Sequence, residues 1–186
     1  TLRALAPVAG QVRLTLLRED QAHTTELLRD GTAMAAITSQ RTPVQGCTVE
    51  PLGAMRYRPI ASAAFAERWF AAGVDAEALR RAPVVVFDSR DQLQSERLAE
   101  AGVAADAPPV HLVPASTQFS EAVQLGYGWG MLPDLERRTG PEVDLSSVPG
   151  SVLRTVDVAL FWQQWALHTT SLDAVADAVR AGAATL

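Results

Sequence analysis

The chain has a single cysteine, Cys47, so no internal disulfide is possible and a reducing compartment is consistent. Its three histidines, His23, His111 and His168, stand far apart. With one cysteine they give no metal-ligand spacing, and neither a metal nor a cofactor is expected. No apolar run approaches the length of a membrane-crossing helix, and no membrane partner is expected. No basic, apolar, small-residue leader opens the chain. Positive charge is not in excess: the net charge is −5, which argues against a broad basic face that grips nucleic acid. That does not exclude a separate DNA-binding segment. Catalytic signatures are also missing. There is no P-loop, no Gly-x-Ser-x-Gly elbow and no Ser/His/Asp set at local spacing, so an enzyme is not expected. Gly126-x-Gly128-x-Gly130 does not open a helix, so it reads as a tight helix-to-strand turn rather than a dinucleotide fingerprint.

What is present is the profile of an ordinary globular protein of one or two domains. It has 186 residues, 48% apolar and 20% charged, enough for a sizeable core. The chain is organised around Ala82-Pro83-Val84-Val85-Val86-Phe87-Asp88-Ser89-Arg90-Asp91-Gln92. Its uninterrupted apolar run reads as a strand buried on both faces, as in a parallel sheet. Ligands in open α/β sheets bind outside the carboxyl ends of strands, where Asp88, Ser89 and Arg90 fall. The same residues also suit a solvated turn that merely caps the next helix.

In chain order, Leu2, Leu5 and Ala6 have helical spacing, ended by Pro7 and Gly10. Residues 12–17 alternate and predict a strand. Thr24 is placed to cap a helix through Asp30, stopped at Gly31. Residues 33–37 predict a strand leading into Thr38-Ser39-Gln40. Extended segments follow at 48–52 and 55–62, then helices at 64–70 and 75–81. After the organising strand come a helix over 91–101, a strand at 110–113 in which His111 reads as structural, and a helix from Ser116-Thr117 through Leu125. Met131-Leu132-Pro133, 145–148 and 154–162 read as extended, and 171–181 as an amphipathic terminal helix. Strands alternating with helices predict an α/β fold with mostly parallel sheets.

The polar turns at 18–23, 38–40, 88–92 and 116–118 are the candidate site. Free N–H groups at the start of the Ser116-Thr117 helix suit a carboxylate. Glu19, Asp20 and Asp88 suit a cation. Together they fit a zwitterion with an extra positive charge, such as a basic amino acid.

Several segments carry a family resemblance. They are Glu19-Asp20 with Thr25-x-Leu27-Leu28-Arg29-x-Gly31, Leu52-Gly53-Ala54-x-x-Tyr57, Phe65-Ala66-Glu67-x-x-Phe70 and Leu79-x-x-Ala82-Pro83-Val84-Val85-x-Phe87-Asp88. Ser116 to Gly126, Met131-Leu132-Pro133 and the region of Trp162 also fit. Over nearly its whole length the chain resembles the effector-binding domain of LysR-type transcriptional regulators, in the lysine- and arginine-responsive ArgP/LysG subfamily. The resemblance implies a two-lobed, periplasmic-binding-protein-like (type 2) α/β fold, each lobe a mixed, mostly parallel sheet flanked by helices. Lobe one would be 1–80 plus 152–186 and lobe two 81–151. An N-terminal winged helix-turn-helix, a linker helix and a first strand would precede this chain.

By position, the resemblance implies effector contacts at Glu19, Asp20, Gln21, Thr38, Ser39, Asp88, Ser89, Arg90 and Thr117. Arg90 departs from the acidic or neutral group expected near there. The effector would be L-lysine, L-arginine or L-histidine. The other partners implied are a second copy of the chain, as homodimer or homotetramer, and DNA through the absent N-terminal domain. Helices 24–30 and 91–101 would meet between subunits, with Leu93 and Leu98 as contacts. Location would be cytoplasmic, and the target a basic-amino-acid exporter gene. A solute-binding protein of a transporter shares the fold and is the alternative reading.

Overall fold

The computed structural model describes residues 2–17, 24–136, 140–167 and 169–184. Its helices are α1 (Leu2–Leu5), α2 (Thr24–Arg29), α3 (Ala63–Phe70), α4 (Ala76–Arg81), α5 (Leu93–Glu100), α6 (Ser116–Gln124) and α7 (Thr170–Ala183). Its strands are β1 (Ala35–Thr38), β2 (Cys47–Ser62), β3 (Val84–Val86), β4 (Val110–Leu112), β5 (Gly130–Pro133), β6 (Glu142–Asp144) and β7 (Val156–Trp165). Among the described residues, no helix is long and apolar enough to cross a membrane.

Several boundaries follow from caps visible in the sequence. Asp75 accepts the Ala78 amide at 2.8 Å to open α4, and Thr169 accepts the Leu172 amide at 3.2 Å to open α7. Gly31, just past α2, has φ +78°.

The chain forms two compact units, Thr1–Met55 with Val158–Leu186, and Arg56–Asp157. The divisions fall within β2 and β7, not at 80/81 and 151/152. The reason is α3 and α4: Phe65, Phe70, Val74, Ala78 and Leu79 are buried in the same core as Val84, Leu98 and Trp129. In the first unit, Leu5 and Val8 pack with Trp162, Ala176 and Val179.

A five-stranded sheet has the order β1-β7-β2-β5, with β6 also pairing with β2. The β1·β7, β2·β5 and β2·β6 ladders are antiparallel. β3 and β4 form a separate parallel pair, and an isolated parallel bridge joins Val84 to Trp129. The mixed character holds, with a smaller parallel share than expected. The long strand β2 runs opposite to β5 and β6, and antiparallel ladders result.

Local readings differ in four places. Residues 13–17 form no strand: Val12 and Leu14 lie against the first unit's core while Leu16 and Leu17 are exposed, so the alternation marks a face rather than a ladder. Residues 48–52 and 55–62 belong to one continuous strand, β2. Residues 145–147 form a 3₁₀ turn, because Asp144 accepts the Ser146 amide at 3.0 Å and closes the chain locally. His111 is exposed on β4, its ring 6.0 Å from that of Tyr127. Of the expected subunit contacts, Leu98 is withdrawn. It is 1% exposed, on the face of α5 that packs into its own core, and Leu93 packs partly against that core too.

Candidate functional site

The second unit gathers its polar turns at one edge. β3 and β4 run parallel with Val86 opposite Leu112, and the Val113 amide donates to Val86 O at 2.9 Å. The turn after β3 (residues 87–92) and the start of α6 after β4 therefore share the carboxyl edge. The parallel bridge Val84↔Trp129 brings the strand that leads into β5 alongside, and β5 runs straight into a 3₁₀ turn over Asp134–Glu136. Three chain segments thus deliver polar residues where open α/β sheets bind ligands.

The turn after β3 is built by two carboxylates. Asp88 Oδ1 accepts the amides of Arg90 at 2.8 Å and Asp91 at 3.1 Å. Asp91 accepts the Phe87 amide at 3.2 Å and the Leu93 amide at 3.1 Å. Asp91 thereby supplies the side-chain cap of α5, which Gln92 at the cap position does not. Burial pushes the Asp91 carboxyl above its usual range and the Asp88 charge adds to this, against the amides of Leu93 and Phe87 and the side chain of Gln94. Ser89 and Arg90 are exposed on this turn and Asp88 is half-buried.

α6 opens without a side-chain cap. Ala115 has the extended backbone of a cap residue, φ −151° and ψ 123°, but no side-chain oxygen to offer. Phe119, Ala122 and Val123 turn inward against Ile60, Val85 and Leu132. That packing is close enough to need Gly130, where an added Cβ would lie 2.9 Å from the Phe119 ring. The other side of the helix carries Ser116, Thr117 and Ser120. With Glu136 they line a cavity of about 240 Å³. Ser120 Oγ donates to Glu136 O at 3.4 Å and ties the 3₁₀ turn to the helix. Burial pushes the Tyr57 hydroxyl up, and the charges of Glu136 and Asp91 add to it, so the phenol stands in the field of both acids.

Of the expected effector contacts, Asp88, Ser89, Arg90 and Thr117 fall on this edge. Thr38 and Ser39 end β1 in the first unit. Thr38 is 2% exposed, and its hydroxyl accepts the Gln40 amide at 3.1 Å, so it shapes its own turn. Ser39 is half-buried beside it. Glu19, Asp20 and Gln21 lie outside the described residues. The sequence reading passed over Ser120, Glu136 and the capping role of Asp91. Glu136 was open to the same rule that found Asp88, since it follows the apolar strand Met131-Leu132-Pro133. Among the described residues, no cluster of His, Cys, Asp or Glu is arranged to hold a metal ion.

The chain is mixed α/β in two units, and in the second a helix start without a side-chain cap and several acids share one strand edge, where open α/β sheets bind small molecules. The family model described as LysR substrate binding domain matches residues 1–184, and the chain belongs to that family. The lysine export transcriptional regulatory protein LysG of Corynebacterium efficiens is 40% identical over 178 residues, 93% of this chain and 60% of that protein. The C-terminal domains of a LysR family protein from Agrobacterium tumefaciens match with a TM-score of 0.86 at 34% identity, over 100% of this chain and 90% of theirs. Full-length LysG of Corynebacterium glutamicum with bound effector Arg matches with a TM-score of 0.82 at 32% identity, over 98% of this chain and 61% of that one. The fold is accordingly the periplasmic-binding-protein-like (type 2) fold of LysR effector domains. The chain spans 58–60% of the length of the curated relatives it matches.

Proposed function

We propose that this chain is the effector-sensing part of a LysR-type transcriptional regulator whose effector is a basic amino acid, L-lysine, L-arginine or L-histidine. The observation that carries the reading is the likeness to C. glutamicum LysG, a protein solved with Arg as its bound effector. The chemistry of the second unit supports it. The uncapped start of α6 and the hydroxyls of Ser116 and Thr117 suit an α-carboxylate, which the aligned N–H groups attract. Glu136, with Asp88 and Asp91 on the neighbouring turn, suits the ammonium or guanidinium groups. In this reading Ser39, Glu19, Asp20 and Gln21 are also effector contacts, and Thr38 holds its own turn. The effector shifts the balance between conformations of a cytoplasmic dimer or tetramer. DNA is gripped by a segment outside this chain, and the controlled gene encodes a basic-amino-acid exporter.

The test is calorimetric titration of the chain with L-arginine, L-lysine, L-histidine and L-leucine, repeated on Glu136→Gln and Asp88→Asn. Basic amino acids bind and L-leucine does not. Each substitution weakens binding by roughly tenfold or more, the equivalent of about 1.4 kcal/mol. A folded sample that binds none of the four overturns the assignment.

A further inference from the structure

The end of β7 reads Trp162-Gln163-Gln164-Trp165, and Gln163 is 0% exposed. A primary amide at that depth is costly unless its hydrogen bonds are made. Gln163 makes three. Its Oε1 accepts the Val44 amide at 3.1 Å. Its Nε2 donates to Gln40 O at 2.8 Å and to Thr42 O at 3.1 Å. All three partners are backbone groups of one segment, residues 40–44, which has no regular secondary structure of its own.

That segment starts immediately after Thr38 and Ser39. Its far end is held by the same stretch of β7: the Ala166 amide donates to Gly46 O at 2.9 Å. The Trp165 ring covers Gly46, where φ is +82° and an added Cβ would lie 3.1 Å from the ring. Val44 is buried beneath, at 7% exposure. A loop normally satisfies its backbone through its own turns or through water. Here one side chain, 119 positions away from Val44 in sequence, does so.

We infer that Gln163 is a positioning residue for the effector site. It fixes the 40–44 segment, so that the Thr38-Ser39 turn is already in its ligand-binding conformation before ligand arrives. This rests on the effector reading above, because Ser39 matters only if a ligand meets it. A preordered turn spares the ligand the cost of ordering it, and losing that order weakens affinity without removing a contact.

The experiment compares the wild-type chain with Gln163→Met, which keeps the side chain's length and removes all three hydrogen bonds. L-arginine affinity is measured by calorimetry, and amide hydrogen exchange at Gln40 and Val44 by NMR, without and with saturating L-arginine. Gln163→Met weakens L-arginine binding by roughly tenfold. Exchange at the two amides speeds up in the free variant and returns toward the wild-type rate when L-arginine is bound. That ligand-dependent recovery would not follow from a purely structural role. If Gln163→Met does not fold, Gly46→Ala loosens the same segment from its exposed end and is read identically, with a smaller loss. Unchanged affinity, or faster exchange that L-arginine does not reverse, overturns the inference. Failure of the wild-type chain to bind L-arginine is seen before any variant is compared; it sinks the effector reading and the inference with it.

Discussion

Arg58 shows how one side chain in the second unit secures two strand ends. It lies on β2 opposite Leu132 of β5. Its guanidinium reaches Asp134, just past β5, at 2.7 Å, and Asp144, at the end of β6, at 3.0 Å. Asp144 is pulled below the usual carboxylate range. Burial pushes it up, but the Ser146 hydroxyl and Arg58 together outweigh that, with the Ser146 amide adding to them. A carboxylate whose folded value is depressed adds stability above the ordinary Asp value near 3.8 and loses it as pH falls through that value toward the folded one. Arg58→Met is therefore expected to destabilise the chain by about 1–2 kcal/mol at pH 7, the scale of a charge-assisted bond to a partly buried acid. Urea unfolding at pH 7 and at pH 3 checks this, with a smaller cost at pH 3, which lies below the ordinary Asp value at which an unfolded chain takes up the proton. An equal cost at both pH values would assign the loss to packing of the arginine stem instead.

At the scale of elements, what the sequence made legible is what local chemistry decides. The glycine stop at Gly31 and the apolar face of α7 are each set within a few residues, and α2 and α7 lie where those signals put them, while the caps Asp75 and Thr169, not singled out in the sequence, act over the same short range. Residues 13–17 and 145–148 were misread because a strand needs a partner, which the alternating pattern cannot reveal, and because Asp144 closes its own chain on Ser146. The site was legible in part for the same reason. Asp88 and Thr117 follow strands, but the assembly of Glu136 with Ser116, Thr117 and Ser120 depends on how α6 packs over β5. The start of α6 offers the sharpest test at this scale. Ala115 offers the first amides of the helix no side-chain acceptor of its own. Ala115→Ser would fill that place, stabilising the fold by about 1 kcal/mol. The same hydroxyl would compete for the amides assigned to the effector's carboxylate. Chemical denaturation and L-arginine titration of this variant should show higher stability with weaker binding, the trade expected where a site is left unsatisfied for a ligand. Higher stability with unchanged affinity would place the carboxylate elsewhere.

Over the whole molecule, the division at β2 and β7 was hidden from sequence because it depends on which core α3 and α4 join. Only packing shows Phe65, Phe70 and Leu79 with Trp129 in the second unit. A net charge of −5 on a chain of this size favours small cations in general, so a basic effector must be told apart from loose electrostatic attraction. Mass action supplies the distinction. A ligand that binds only the folded state at 100 times its Kd stabilises that state by about 2.7 kcal/mol. For a chain of this length that corresponds to a rise in Tm of roughly 5–10 °C. L-arginine or L-lysine at saturation should give such a rise, and it should persist at high salt because paired groups in a site are screened less than surface charge. Putrescine carries two ammonium groups, as L-lysine does, but lacks the α-carboxylate that α6 is assigned to hold and should give little. A shift of the same size with putrescine, or one that vanishes at high salt, would reduce the effect to the charge of the molecule as a whole. A shift confined to the basic amino acids would require carboxylate and cation to be held at once, as proposed for the edge carrying α6 and Glu136.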